Sequence, residues 1–306
     1  EGMACTSSIS AGASTLMGTT TTSEPTEALK WCRLLVRRRA GNFYWGLRLL
    51  PEPRRSGLYA LYAWMRQADD ITDDADDPAT GIQALSAFER TTLEVLDGGP
   101  VPEDHMWQAL SWTASAWSLP RQPFVDMIRG QRDDLSSRVI DSKADLFDYC
   151  ECVASTVGLL CISIWGFDDP AAPELAVKRG IALQLTNILR DVGEDAAAGR
   201  CYIPASDLRA RGLDQSSLIA WRRPEACEAL IRHWIDVASS HYEQSQPLDA
   251  MVSADCRRTL RAMTGIYRAM LGKIAQDPQR CCGIPGVSLS KLKKIRIALS
   301  AGRASS

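Results

Sequence analysis

Several kinds of residue and pattern are scarce in this sequence. Its 306 residues carry 35 Lys and Arg against 37 Asp and Glu, a formal net charge of −2, so no global positive excess points to nucleic acid. Only three histidines occur, His105, His233 and His241. None sits in a Ser, Cys or metal-ligand context, which removes the usual histidine-based nucleophile and zinc arrangements. No stretch approaches 18 uninterrupted apolar residues, so no transmembrane helix is expected. Alternating strand patterns and internal repeats are missing, and no Gly-x-Gly-x-x-Gly follows a strand. The ten cysteines are spread through apolar helical segments, as at Cys150, Cys152 and Cys161, with no pairing framework and no zinc spacing. They read as reduced, buried small residues of a cytoplasmic protein.

What the sequence does have is a helical pattern from about residue 27 onward, punctuated by Pro and Gly. Helices are expected over 27–39, 54–74, 80–97, 104–118, 121–134, 145–166, 171–193, 224–245, 249–276 and 288–300. Residues 1–26 are rich in Ser, Thr, Gly and Ala, contain no aromatic residue and read as a disordered leader. They lack the charged and apolar regions of a signal peptide, and Met3 is the expected native start. Residues 27–306 therefore form one all-α domain of ten or so helices.

Chemistry concentrates in two stretches. Over 184–195, Gln184, Asn187, Asp191 and Asp195 share one narrow helical face, while Ile181, Leu185 and Ile188 point elsewhere. From Tyr62, residues Arg66, Asp69 and Asp73 likewise return to a single face. Such a polar stripe is often only the solvated side of an amphipathic helix. Carboxylates four apart repel, however, and two such pairs are more simply explained by a cation that offsets the repulsion. Hard oxygen ligands suit Mg²⁺, which takes one or two carboxylates plus substrate phosphates.

These residues resemble the paired DxxxD motifs of the squalene/phytoene synthase family: Asp69-Asp70-Ile71-Thr72-Asp73, and Asp191-Val192-Gly193-Glu194-Asp195. Tyr59-Ala60-Leu61-Tyr62-Ala63 with Arg66 precedes the first, and Gln184-Leu185-Thr186-Asn187-Ile188-Leu189-Arg190 leads into the second. Further similarities lie at 41–51, where Asn42 replaces a common serine before Phe43, and at Gly130-Gln131-Arg132-Asp133-Asp134-Leu135. Two more are the segment from Tyr149 to Gly158 and Gly199-Arg200-Cys201-Tyr202-Ile203-Pro204. Late in the chain, Tyr267, Arg268 and Lys273 match a tyrosine and basic residues. The resemblance covers about residues 30–300.

The resemblance implies an isoprenoid-synthase-type helical bundle around a central apolar cavity, and head-to-head condensation of two prenyl diphosphates through a cyclopropylcarbinyl diphosphate. Asp69, Asp73, Asp191, Asp195 and Asn187 would hold Mg²⁺, with Mn²⁺ able to substitute. Gln184 would assist, while Asn42, Arg66 and Arg200 would bind diphosphate. Val153, Ala154 and Gly158 would border the prenyl tail, although small residues at this spacing also serve helix packing. Phe43, Tyr62 and Tyr267 would shield the carbocation. The final proton goes either to diphosphate or to a tyrosine hydroxyl.

Asp-Val-Gly-Glu-Asp after Asn-Ile-Leu-Arg favours two geranylgeranyl diphosphates and phytoene. Two farnesyl diphosphates, giving presqualene diphosphate, dehydrosqualene or squalene, are the alternative, and squalene alone would require NADPH. Peripheral membrane contact through Lys291, Lys293, Lys294 and Arg296 is compatible with lipid substrates; oligomeric state is open. A terpene cyclase or head-to-tail prenyltransferase would pair a DDxxD motif with a different partner motif, and a non-enzymatic family member would have lost an aspartate.

Overall fold

The computed structural model describes residues 25–301 apart from Ser137, with Asn42 described by its backbone alone. The leader expected over 1–26, with Met3, lies outside the described residues as far as residue 24. No β-strand occurs among the described residues, and the fold is an all-α bundle.

The first half runs α1 (Thr26–Arg39), α2 (Gly41–Leu47), α3 (Arg54–Asp73), α4 (Pro78–Leu96), α5 (His105–Ala116) and α6 (Gln122–Leu135). Start signals are local: the Asp77 carboxylate accepts from the Ala79 and Thr80 amides at 2.9 and 3.0 Å to cap α4, satisfying donors that a helix start leaves orphaned. The middle contains α7 (Lys143–Cys150), opened by a reciprocal Ser142–Asp145 capping box, then a π-helical turn (Glu151–Ser155) and α8 (Thr156–Trp165). The second half contains α9 (Ala172–Ala197), α10 (Ala205–Ala210), α11 (Gln215–Ile219), α12 (Pro224–Gln244), α13 (Leu248–Met251), α14 (Ala254–Gln276), a 3₁₀ turn (Pro278–Cys282) and α15 (Lys291–Ser300).

The structure differs from the expected pattern in four places. The aromatic segment after Gly41 is a short helix, α2. The helix expected over 145–166 is interrupted by the π turn, and the one expected over 249–276 is two helices. That split occurs because an antiparallel bridge joins Val252 to Phe167, and the Ser253 amide donates to the Gly166 carbonyl at 3.0 Å. Finally, α10 and α11 lie in a region where no helix was expected.

Two apolar cores flank the centre. One gathers α1, α3, α4, α5, α6 and α8 around Trp64, Phe124, Leu110 and Ile164. The other gathers α7, α9, α12 and α14 around Trp234, Tyr242, Leu230 and Ile266. Trp64 is fully buried, yet its indole N–H donates to Thr92 Oγ1 at 2.9 Å, so the core keeps its polar atom paired. All nine described cysteines are free; burial pushes the Cys161 thiol up to about 12, well outside the range of a reactive thiolate. Lys143–Trp165 is the one described segment long and apolar enough to cross a bilayer, with mean hydropathy 1.5 over its most apolar window. Packing accounts for its composition: it forms a wall between the two cores, and Leu146, Cys150, Leu160, Ile162 and Trp165 are buried.

Candidate active site

A cavity of about 410 Å³ opens between the two cores. Its deep wall is apolar, formed by Leu58, Leu61, Leu160, Ile162, Leu260 and Met263 among others, and its other end is ringed by charged and polar side chains from α3, α6, α9 and the loop after α9.

Close helix approach shapes it. A Cβ on Gly180 would stand 2.5 Å from Ser155 Cα and 2.7 Å from Ser155 N, and one on Gly158 would stand 3.0 Å from the Ala176 carbonyl oxygen. The backbones of α8, α9 and the π turn are therefore in near contact, and Val153, Ala154 and Gly158 all line the cavity. Gly158 thus both lines the cavity and permits the tight packing on α9. A π turn within a longer helix frequently marks a functional wall.

On α3, Tyr62, Arg66, Asp69 and Asp73 line the cavity. Arg66 sits among the aspartates: it is ion-paired with Asp70, and lies 3.7 Å from Asp69 and 3.6 Å from Asp73. Asp70 is also gripped by Arg39 at 3.0 Å and is not part of the lining, so only the DxxxD pair faces inward. Burial pushes the Asp69 carboxyl up to about 6, with Arg66 opposing the shift, Asp73 adding to it and the Gln131 hydrogen bond, 2.8 Å long, opposing it.

On α9, Gln184 and Asn187 line the same cavity. The Asn187 amide N–H donates to Gln184 Oε1 at 3.3 Å, while its own Oδ1 is buried with no partner. Asp191 and Asp195 follow one and two turns on, just outside the lining. Arg190 Nε donates to Asp191 Oδ1 at 2.7 Å, and Arg200, itself on the cavity wall, lies 3.8 Å from Asp195. Burial pushes the Asp195 carboxyl up to about 6, Arg200 opposing, with Asp191 and Asp134 adding. A Cβ on Gly193 would meet the Cys282 carbonyl oxygen at 2.4 Å, and the Gly286 amide donates to Glu194 Oε1 at 2.9 Å. The loop before α15 thus closes over the second motif.

Phe43 lines the cavity, and Tyr267 is buried behind it, ring centroids 5.5 Å apart. Burial pushes the Tyr267 phenol up to about 12, with the Arg190 charge and a hydrogen bond donated by Asn187 opposing. The side chain of Asn42 lies outside the described residues.

Three groups on the wall had been given no role from sequence. Asp134 accepts from Tyr202 at 3.0 Å and from Tyr149 at 3.2 Å, and those two rings stack at 4.7 Å. Burial pushes its carboxyl up to about 6, with the two tyrosine hydrogen bonds opposing. Gln131 holds Asp69. Each belongs to a quoted motif, and the signal was available there: Gln131 and Asp134 are three apart and so share a helix face. Arg179 had no such signal.

The site can take up an anion, since Arg66 and Arg200 present donors at the polar rim. Its oxygens also fit a hard divalent cation: four carboxylates, two of them raised by burial, and one buried amide oxygen without a partner. Among the described residues no three His, Cys, Asp or Glu side chains converge as ligands; arginines hold the carboxylates instead.

The profile of the squalene/phytoene synthase family matches residues 36–299. A 15-cis-phytoene synthase of Synechococcus elongatus is 37% identical over 263 residues, covering 82% of this chain and 85% of that protein. A phytoene synthase of Mycobacterium tuberculosis is 35% identical over 280 residues, 90% of each. Among solved structures, a dehydrosqualene synthase in complex with a ligand superposes with a TM-score of 0.78 at 29% identity, covering 91% of this chain and 96% of that one. A squalene synthase from Alicyclobacillus acidocaldarius superposes with a TM-score of 0.75 at 29% identity, covering 82% and 94%. The family model spans both acidic helices and nearly all of the bundle, and the protein belongs to the squalene/phytoene synthases.

Proposed function

We propose that this protein is a prenyltransferase that condenses two prenyl diphosphates head to head through a cyclopropylcarbinyl diphosphate, with two geranylgeranyl diphosphates giving phytoene. The observation that carries this reading is an apolar cavity whose rim bears Arg66, Arg200 and the Asp69–Asp73 pair, with the second pair, Asp191 and Asp195, just beyond the lining on α9. The relatives named phytoene synthase, at 37% and 35% identity, support the geranylgeranyl substrate. The dehydrosqualene and squalene synthase structures, at 29%, support farnesyl diphosphate as the second reading, in which NADPH enters only for squalene.

The residues divide the work by position. Arg66 and Arg200 donate to diphosphate oxygens and orient the leaving group at the rim. Asp69, Asp73, Asp191, Asp195 and the free Oδ1 of Asn187 would hold Mg²⁺, which neutralises diphosphate charge and so eases departure of the leaving group. Leu61, Val153, Ala154 and Gly158 surround the tail and exclude water, which would otherwise quench the cation. The ring faces of Phe43 and Tyr62 stabilise positive charge as it moves.

A single-turnover quench tests the reaction type. Mixing enzyme, Mg²⁺ and one prenyl diphosphate, quenching, and removing phosphate should release a cyclopropylcarbinyl alcohol of twice the substrate's carbon count. A cyclised monomer, or a chain lengthened by one isoprene unit when isopentenyl diphosphate is added, would contradict it.

Peripheral membrane contact is part of the same proposal. On α15, Lys291, Lys293, Lys294 and Arg296 accompany Leu292 and Leu299, which are 74% and 60% exposed. Anionic vesicles should sediment the protein at low salt and release it at high salt; equal binding to neutral vesicles would contradict this.

A further inference from the structure

One side chain on the cavity wall has no part in the scheme above. Arg179, on α9, is 3% exposed and lines the deep part of the cavity together with Ala176, Gly180, Leu248, Leu260 and Thr264. It precedes Asn187 by two turns, about 12 Å along the helix axis, so it stands away from the polar rim. Arg179 and Thr264 are the polar exceptions in a stretch of wall otherwise apolar.

Four hydrogen bonds hold the guanidinium. Its Nε donates to Ser245 Oγ at 2.8 Å and its Nη2 to the Ser245 carbonyl at 2.8 Å. Its Nη1 donates to Thr264 Oγ1 at 2.5 Å and to Asp249 Oδ1 at 3.1 Å. Ser245 is itself fully buried and donates to the His241 carbonyl at 2.7 Å. An aliphatic wall residue can turn to another rotamer and let a longer tail pass. Arg179 cannot, because moving it would leave a half-buried carboxylate, two hydroxyls and a carbonyl without their donor. Here Arg179 is buried and Asp249 only half-buried; taking an arginine out of water costs much of what such a pair returns, so stability alone gives little reason for it.

We propose that Arg179, fixed by Asp249, Ser245 and Thr264, is the rigid stop that sets how long a prenyl chain this cavity accepts. The inference rests on the reading that prenyl tails occupy the cavity. It makes Arg179 a specificity-determining residue that meets the distal end of the tail and takes no part at the reacting carbons.

The test is a length series. Binding of unreactive prenyl thiodiphosphates, from geranyl to geranylfarnesyl, is measured with Mg²⁺ by calorimetry, alongside kcat/KM for the corresponding substrates. The variant is Arg179→Met with Asp249→Asn, so that the half-buried Asp249 is not left as an unpaired charge. The Kd for the shortest chain that the native protein rejects should fall at least about tenfold, while Kd for accepted chains changes less than about threefold. Thr264→Val, which removes one bond and no charge, should move the limit the same way by a smaller step. It serves as the deciding variant if the double one does not fold. An unchanged length limit, with only a lower Tm, would overturn the proposal and make Arg179 a structural cross-link. If the limit moves but no head-to-head product forms at any length, the gauge stands and the reaction reading fails. If no length binds, both fail.

Discussion

At the residue scale the site is governed by burial of like charge. Asp69 and Asp195 are held by arginines on their own sides of the cavity rim, yet burial still pushes both carboxyls up to about 6. Such groups favour any ligand that brings compensating positive charge. Asp69→Asn or Asp191→Asn should therefore lower kcat by about a hundred- to a thousandfold while far-UV circular dichroism stays unchanged; near-normal turnover in either variant would remove them from the machinery.

Asp134 allows a cleaner electrostatic test, because it is hydrogen-bonded to two tyrosines and has no assigned role toward a cation. Burial pushes its carboxyl up to about 6 in the folded protein, against about 4 in the unfolded chain. The native state thus binds its proton more tightly, and the stability this contributes is present below pH 4 and lost as pH rises to 6. Asp134→Asn removes the ionisation, so its Tm relative to the native protein should rise by about 2–4 °C between pH 4 and 7. A flat difference would show that Asp134 is not held against its charge. The motif residues were readable in the sequence because carboxylates four apart are conspicuous. Arg179 was not, because a lone arginine in a helical stretch looks like any solvated residue until its four acceptors are seen.

At the element scale, the long helices were legible from periodicity and from Pro and Gly punctuation. The short ones were not. α2 is seven residues long and no helix was placed there, α10 and α11 are six and five residues long, and the break at Val252 is imposed by a partner, Phe167, remote in sequence. The π turn over Glu151–Ser155 leaves no composition signal, since it depends on how α9 packs against it at Gly180. That packing gives a sharp expectation. Gly180→Ala would drive a methyl into the backbone of Ser155, which cannot turn aside, and should cost about 1–3 kcal/mol by denaturant unfolding. Gly272→Ala, with open space around its Cβ position, should be neutral or stabilising by up to about 1 kcal/mol. Equal effects of the two would contradict the close approach.

At the scale of the whole molecule, two cores leave an apolar cavity between them, and the helices that line it carry their charged ends to one rim. Each core is complete in itself, with Trp64 and Phe124 in one and Trp234 and Tyr242 in the other, so the space between need not be filled to hold the fold. A polar rim over an apolar interior is what the separation of diphosphate from a reactive carbocation requires. The all-α class and the family were readable from the sequence; the depth of the cavity was not, since its floor joins side chains from α3, α8, α9, α13 and α14.

The most direct measurement is to incubate the purified protein with Mg²⁺ and either geranylgeranyl or farnesyl diphosphate, with and without NADPH, and to identify the extracted lipid by mass spectrometry. Phytoene from geranylgeranyl diphosphate, formed equally in the absence of NADPH, is the predicted result. A thirty-carbon product as the main lipid would move the protein to the farnesyl branch. No condensed product from either substrate would contradict head-to-head synthesis itself.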